Sequence, residues 1–317
     1  MSNLQSLISN LKIVCLAGGV GGAKLADGLA QIVPPENLTI VVNTGDDFQH
    51  LGLTVCPDLD TVMYRLAGVA NPETGWGRAS ESWRTMEVVT ALGGPDWFRL
   101  GDLDLGTHLT RLHLLQAGES LTAVTQHLCQ QFNIWAAILP MSDQPAPTMI
   151  ESHDKIYPFQ TWFVQERWQP PVKNIILPDN VKASHAVGET LESADVVLLA
   201  PSNPFVSIDP ILNVYPIREM MMDLPRMVAA VSPIINGRAV KGPAAKMMSE
   251  MGLAVSAAAV AAYYGNLIDL FIYDQQDEVA WDYEGVTAVP LDTMMTDRNS
   301  RRRLAAELLA EIEKLLG

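Results

Sequence analysis

Five consecutive apolar residues, Ile13–Ala17, run into Gly18-Gly19-Val20-Gly21-Gly22-Ala23-Lys24, and the spacing beyond predicts a helix over about 23–32. A Pro34-Pro35 break and an apolar strand over 39–42 follow. This strand–helix–strand unit crosses over right-handedly and leaves its two strands parallel and adjacent. Helices are predicted over 59–66, over 81–92 (ended by Gly93-Gly94-Pro95), over 109–117, and over 121–132 with Ser120 as cap. From 136 to about 172 the pattern turns strand-like and polar, with 159–164 a period-two strand candidate, so 136–195 reads as an inserted smaller mixed subdomain. Buried strands resume at 196–200 and 228–232, helices at 242–251 and 254–264, a strand at 267–273, and a terminal helix at 299–316. The expectation is a single α/β domain over 1–317: a doubly wound, mostly parallel Rossmann-like sheet. Such sheets bind ligands outside the carboxyl ends of their strands. Three of those ends are chemically marked, at 18–24, 43–47 and 201–204.

Composition narrows the partners. With 48% hydrophobic and 18% charged residues, the chain has the means to fill a core. A formal charge of −15, from 36 acidic against 21 basic side chains, repels a nucleic-acid backbone. The one basic run, Arg301-Arg302-Arg303, reads as a solvated face of the terminal helix. Cys15, Cys56 and Cys129 have no metal-ligand spacing, and a reducing cytoplasm suits them. The N-terminus lacks a leader pattern, and the most apolar later stretch, 253–262, is too short and Ala-rich to span a bilayer, so no membrane partner is expected. Gly-x-Ser-x-Gly, His-Glu-x-x-His and Cys-x-x-Cys are all absent, which leaves hydrolase triads and zinc sites without support.

The glycine segment matches neither the dinucleotide fingerprint, because Lys24 stands where the third glycine belongs, nor the Walker pattern. Its backbone N–H groups and the helix dipole still suit an anion; the plainer alternative is a tight β–α turn. Lys24 favours the anion, since a cation in a first helical turn opposes the dipole unless an anion sits nearby. Asp46, Asp47, Asp58 and Asp60 place four carboxylates within fifteen residues. Singly they read as a polar turn and helix caps; together, beside an anion-binding turn, they favour Mg²⁺, which takes one or two carboxylates plus substrate phosphates. Residues 101–108 read as a compact polar turn between helices, and Gly75-Trp76-Gly77-Arg78 as a flat-ring platform or loop packing. Ser202 and Asn203, between two prolines, suit base or phosphate recognition or a structural turn, and Lys241 and Lys246 suit anion contact. The clustered methionines at 220–222 and 247–248 read as core filling.

Taken in order, these segments resemble the 2-phospho-L-lactate transferase family of coenzyme F420 biosynthesis. The matching stretches are 18–24, Asn43-Thr44-Gly45-Asp46-Asp47, 56–64, 75–78, 101–109, Leu139-Pro140-Met141-Ser142-Asp143, 201–204, 231–234 and 241–248, spread over most of the chain. The resemblance implies a Mg²⁺-dependent transfer. A phospholactyl or phosphoenolpyruvyl group would move from a guanosine diphosphate ester to the terminal ribityl hydroxyl of the deazaflavin Fo, releasing GMP. Within that frame Asp46 and Asp60 are expected to hold the metal, and Asp47 to orient or deprotonate the hydroxyl, with the roles of Asp46 and Asp47 interchangeable. Gly18, Gly19, Gly21, Gly22 and Lys24 would cradle the diphosphate, and Ser202, Asn203, Lys241 and Lys246 would contact the nucleotide and its phosphates. Trp76, Arg78, Thr107 and His108 would serve the deazaflavin end. A homodimer is expected. The alternative is a regulatory protein that binds nucleotide sugars without catalysis.

Overall fold

The computed structural model describes residues 10–153, 155–278 and 285–317. The reading of the N-terminus as lacking a leader falls partly outside them. The chain opens with β1 (Ile13–Ala17), α1 (Gly19–Ala30) and β2 (Leu38–Val42), then a hairpin of β3 (Phe48–His50) and β4 (Leu53–Val55). Four helices follow: α2 (Pro57–Leu66), α3 (Arg84–Ala91), α4 (Asp102–Gln116) and α5 (Leu121–Gln131). Next come β5 (Ala137–Pro140), the short strands β6 (Met149–Glu151), β7 (Ile156–Pro158) and β8 (Asn174–Ile176), then α6 (His185–Glu192) and β9 (Val196–Leu199). The last third holds α7 (Asp209–Leu212), α8 (Ile217–Asp223), β10 (Met227–Val231), the two-residue strands β11 (Ile234–Ile235) and β12 (Arg238–Ala239), and α9 (Ala244–Glu250). It ends with α10 (Ala257–Tyr264), β13 (Leu270–Asp274), β14 (Thr287–Leu291) and α11 (Arg298–Leu316).

Seven strands form the main sheet in the order β14-β13-β10-β9-β1-β2-β5, and every pairing is parallel. Parallel strands carry helices on both faces, so both faces must be apolar. Val14 and Leu16 face one core with Val197, Leu199 and Phe271. Ile13, Cys15 and Ala17 face the other with Ile40, Leu198 and the apolar sides of α1, α2 and α11. The doubly wound α/β class is therefore the one the alternation dictates. Among the described residues, no helix is long and apolar enough to cross a membrane. Cys15, Cys56 and Cys129 are free and buried.

Three local expectations are corrected. Residues 159–164 are not a strand: Phe159 and Gln160 are helical and a π-helical turn covers Thr161–Gln165. Aromatic spacing overrides the alternation, because Phe159 stacks on Phe163 at 5.5 Å and Trp162 is fully buried with its Nε1 donating to Pro170 O at 2.9 Å. Residues 102–108 are not a turn but the first turns of α4, with Gly101 in extended conformation at the N-cap and Asp102 and Asp104 at the dipole's positive end. The terminal arginine run is not uniformly solvated, since the Arg301 side chain is 13% exposed and paired with Asp27. Within 136–195, Ala137–Pro140 joins the main sheet, and β7-β6-β8 make a separate antiparallel sheet packed on the core through Ile150 and Trp162.

Candidate active site

The strand order reverses between β1 and β9, since β2 and β5 extend one way from β1 and β9, β10, β13 and β14 the other. A crevice opens at such a switch point. One side chain bridges it: Ser202 Oγ accepts from Gly18 N at 3.2 Å and donates to Gly18 O at 2.7 Å. Gly18 is the extended N-cap of α1, so the glycine segment is the helix's own first turn and not a loop before it. A Cβ on Gly21 would collide with Pro201 O, and one on Gly22 would lie 2.7 Å from Ser202 Oγ. Glycine is needed at both positions for α1 to lie against 201–202. Helix geometry leaves the Val20 and Gly21 N–H groups without intrahelical acceptors, at the positive end of the dipole.

Beside this end lie two buried carboxyl groups. Asn43, just past β2, places its Nδ2 between Asp46 Oδ1, Asp58 Oδ2 (3.0 Å) and Val206 O (3.2 Å), while its Oδ1 accepts from Gly45 N at 2.7 Å. Gln160 Nε2 donates to Asp46 Oδ2 at 3.2 Å, and Gly19 N donates to Asp58 Oδ1 at 2.7 Å. Burial, then the charges of Asp58 and Asp47, hold the Asp46 carboxyl well above the usual carboxylate range. Burial pushes Asp58 up to about 6, against the pull of Asn43, Gly19 and Asp46. Asp47 is partly exposed, yet its Oδ1 is shielded from water with no hydrogen-bond partner. Its dense surroundings raise it too, opposed by Cys56 and Arg111.

Asp60 stands elsewhere. Residues two apart on a helix point about 200° from each other, so Asp58 and Asp60 cannot both face the crevice. Asp60 is gripped by both Nη atoms of Arg111, which is 1% exposed and lies 3.0 Å from His108 Nδ1. Burial works against the Arg111 charge, but Asp60 outweighs it and holds the guanidinium protonated. His108 Nε2 lies 3.4 Å from Asp104 Oδ1, which accepts from Tyr64 OH at 2.6 Å. Thr107 and His108, expected at the deazaflavin end, are buried at 5% and 1% exposure. Arg78 stacks over Tyr64 and Phe132 behind the same network, while Trp76 is half exposed.

The remaining cations are tethered. Lys24 Nζ donates to Met295 O at 2.6 Å, and Lys241 Nζ to Thr74 O. Burial, then the field of Arg65, lowers the proton affinity of both. Lys246 is committed to Glu250 and lies 5.8 Å from the Trp162 ring, and Asn203 Oδ1 caps the Pro204–Ile208 turn through Phe205 N at 3.0 Å. The sequence assigns no role to Asn43, Gln160 or Arg111, and marks Asp58 only as one of four clustered carboxylates. The 200° rule applied to Asp58 and Asp60 would have raised Asp58; nothing in the sequence points to Gln160. Among the described residues, no group of three or more His, Cys, Asp or Glu is arranged to hold a metal, so any ion here relies on substrate oxygens to complete its shell.

The family model described as 2-phospho-L-lactate transferase CofD matches residues 13–310. A phosphoenolpyruvate transferase of Streptomyces coelicolor is 40% identical over 316 residues, covering 96% of this chain and 99% of its own. A 2-phospho-L-lactate transferase of Methanosarcina acetivorans is 40% identical over 298 residues, covering 92% and 96%. Among solved structures, a Bacillus halodurans protein of the UPF0052 family superposes with a TM-score of 0.61 over 95% of this chain and 98% of that one; at 14% identity it speaks for the fold alone. A match over nearly the whole length, on a sheet whose switch point carries the buried acid pair, makes this chain a member of the 2-phospho-L-lactate transferase CofD family, a transferase of coenzyme F420 biosynthesis.

Proposed function

We propose that the protein transfers a phospholactyl or phosphoenolpyruvyl group from a guanosine diphosphate ester to the terminal ribityl hydroxyl of Fo, releasing GMP, with Mg²⁺ bound by Asp46 and Asp58. The observation that carries this reading is the buried carboxyl pair beside the first turn of α1, whose members both accept from Asn43 Nδ2. The buried guanidinium of Arg111 is spent on Asp60, so the pair has no cationic side chain of its own, and Asp46 and Asp58 would hold the divalent cation. Bound there, Mg²⁺ would neutralise the charge on the diphosphate oxygens.

The chain's own residues supply the rest. Phosphoryl transfer is chiefly a matter of positioning and charge neutralisation. The N–H groups of Val20 and Gly21, with Lys24 and Lys241, would meet the diphosphate oxygens. Ser202 holds the two sides of the crevice at fixed separation. The Fo hydroxyl oxygen bonds to the phosphorus that bears the acid, the bond from that phosphorus to the GMP phosphate oxygen breaks, and the hydroxyl proton passes to the partly exposed carboxylate of Asp47. Trp76 offers the flat, accessible ring for the deazaflavin. Thr107, His108 and Arg78 support that loop from behind.

Incubation with Fo, Mg²⁺ and each guanylated acid tests the reading, with GMP and product mass measured. Expected are GMP release only when Fo is present and a loss of at least about 100-fold in turnover for Asp46→Asn. No GMP release from either donor would sink the transfer and leave a nucleotide-binding protein. Relatives of both donor classes are equally similar, so the donor is decided by which ester turns over faster.

A further inference from the structure

At the far ends of the two helices that lead away from the acid pair, a cavity of about 380 Å³ opens between α1, α2 and α11. Asp27, Arg65, Arg298 and Arg301 line it, with Leu66 and Ala67. Counted at 1.5 Å per residue, Asp27 lies roughly 12 Å along α1 from Gly19, so this is not the crevice at the strand ends.

The charges in it do not balance. Arg301 Nη1 lies 3.1 Å from Asp27 Oδ2, and the same oxygen accepts from Gln31 Nε2 at 3.2 Å. Among the described residues, neither Arg65 nor Arg298 has a carboxylate within ion-pair distance, and Arg65 Nε is shielded from water with no hydrogen-bond partner. Three guanidinium groups face one carboxylate, an excess of two positive charges in a chain whose net charge is −15. Burial first, and then repulsion from Arg301, lowers the proton affinity of Arg65; burial first, and then Arg65 and Arg301, lowers that of Lys24. Arg298 and Arg301 also sit in the first turn of α11, where the dipole opposes cations. Guanidinium forks match phosphate oxygens two at a time, and a phosphate near neutral pH carries between one and two negative charges.

We propose that this cavity is a second anion site, which binds a phosphate group between Arg65, Arg298 and Arg301 and thereby ties α11 to α1 and α2. It goes beyond the transfer reaction and needs neither Fo nor Mg²⁺, so either reading stands or falls without the other. The phosphate comes either free or on a nucleotide, and the two sources separate by titration.

The test is calorimetric titration of the whole protein in Mg²⁺-free buffer with inorganic phosphate and, separately, with GMP, alongside melting curves. Expected is saturable binding of at least one of them, weakened 10-fold or more in Arg298→Ala and Arg65→Gln and unchanged in Lys173→Ala, whose exposed side chain pairs with Glu151 away from both sites, with a rise in Tm that the arginine variants lose. Phosphate binding that follows this pattern assigns the free anion; GMP alone following it assigns the nucleotide. Arg298 is exposed, so its alanine variant keeps the fold even where Arg65→Gln does not. The proposal is overturned if neither anion binds, or if binding ignores Arg298→Ala, or if Lys173→Ala abolishes it.

Discussion

Asn43 Nδ2 lies 3.0 Å from Asp58 Oδ2 while Asn43 Oδ1 accepts from Gly45 N at 2.7 Å, so a single amide ties the end of β2 to the first turn of α2. Removing it takes one donor from each of two buried carboxyl groups and leaves the Gly45 N–H without its acceptor. Asn43→Ala should cost about 2–3 kcal/mol in urea unfolding and lower turnover at least about 10-fold. Wild-type values for both would mean that the amide does not hold the acid pair.

The Asp58 carboxyl sets a pH dependence. Its folded-state value of about 6 lies above its ordinary 3.8, so folding favours the protonated form. The stability it contributes is complete below about pH 3.8 and lost as pH rises through about 6, amounting to about 3 kcal/mol over that window. Measured in chelator, wild type should lose stability relative to Asp58→Asn between about pH 4 and about pH 6.5, with a constant difference above that. A difference flat across that window, or one of opposite sign, would show that Asp58 is not held as a buried acid.

A divalent cation should reverse that penalty. Millimolar Mg²⁺ at about pH 7.5 should raise the wild-type Tm, and Asp46→Asn should remove most of the rise. Equal rises in the two proteins would place the ion elsewhere.

Arg111 and Asp60 form a buried pair whose partners are worth more together than apart. Arg111→Ala alone should cost about 3–5 kcal/mol, because it strands a buried carboxylate, and adding Asp60→Asn should recover part of that loss. Strict additivity in the double-mutant cycle would deny the coupling.

Two glycines in helices should respond in opposite ways. At Gly21 a methyl group meets the Pro201 carbonyl, so Gly21→Ala should destabilise and reduce activity together. At Gly188, within α6, a Cβ would meet nothing within 4 Å, so Gly188→Ala should stabilise by about 0.5–1 kcal/mol. Melting curves of the two variants settle both.

How far the sequence could be read follows from where local pattern and long-range packing agree. The unit from Ile13 to Val42 is plain because its strands are uninterrupted apolar runs buried on both faces. Asp102 to His108 misleads because Gly, Asp and Thr favour turns, yet at a helix entry the same residues cap and complement the dipole. Residues 159–164 mislead because alternation cannot reveal that Trp162 Nε1 finds its acceptor at Pro170. The acid cluster was legible as a group. Its division into Asp46 with Asp58 and Asp60 with Arg111 was not, because Arg111 arrives from a helix 51 residues further on.

The Ser202 bridge to Gly18 also bears on how the molecule is made. Its partners stand 184 residues apart, and β1 takes β9 as a neighbour only once the chain has reached Leu199. A ribosome-bound chain ending before that point already holds Gly18, Asn43, Asp46 and Asp58, yet has no wall for α1 to rest against. Contacts so distant in sequence form slowly. The reaction crevice is thus a late product of synthesis, and until β9 docks, one edge of β1 waits exposed for its neighbour.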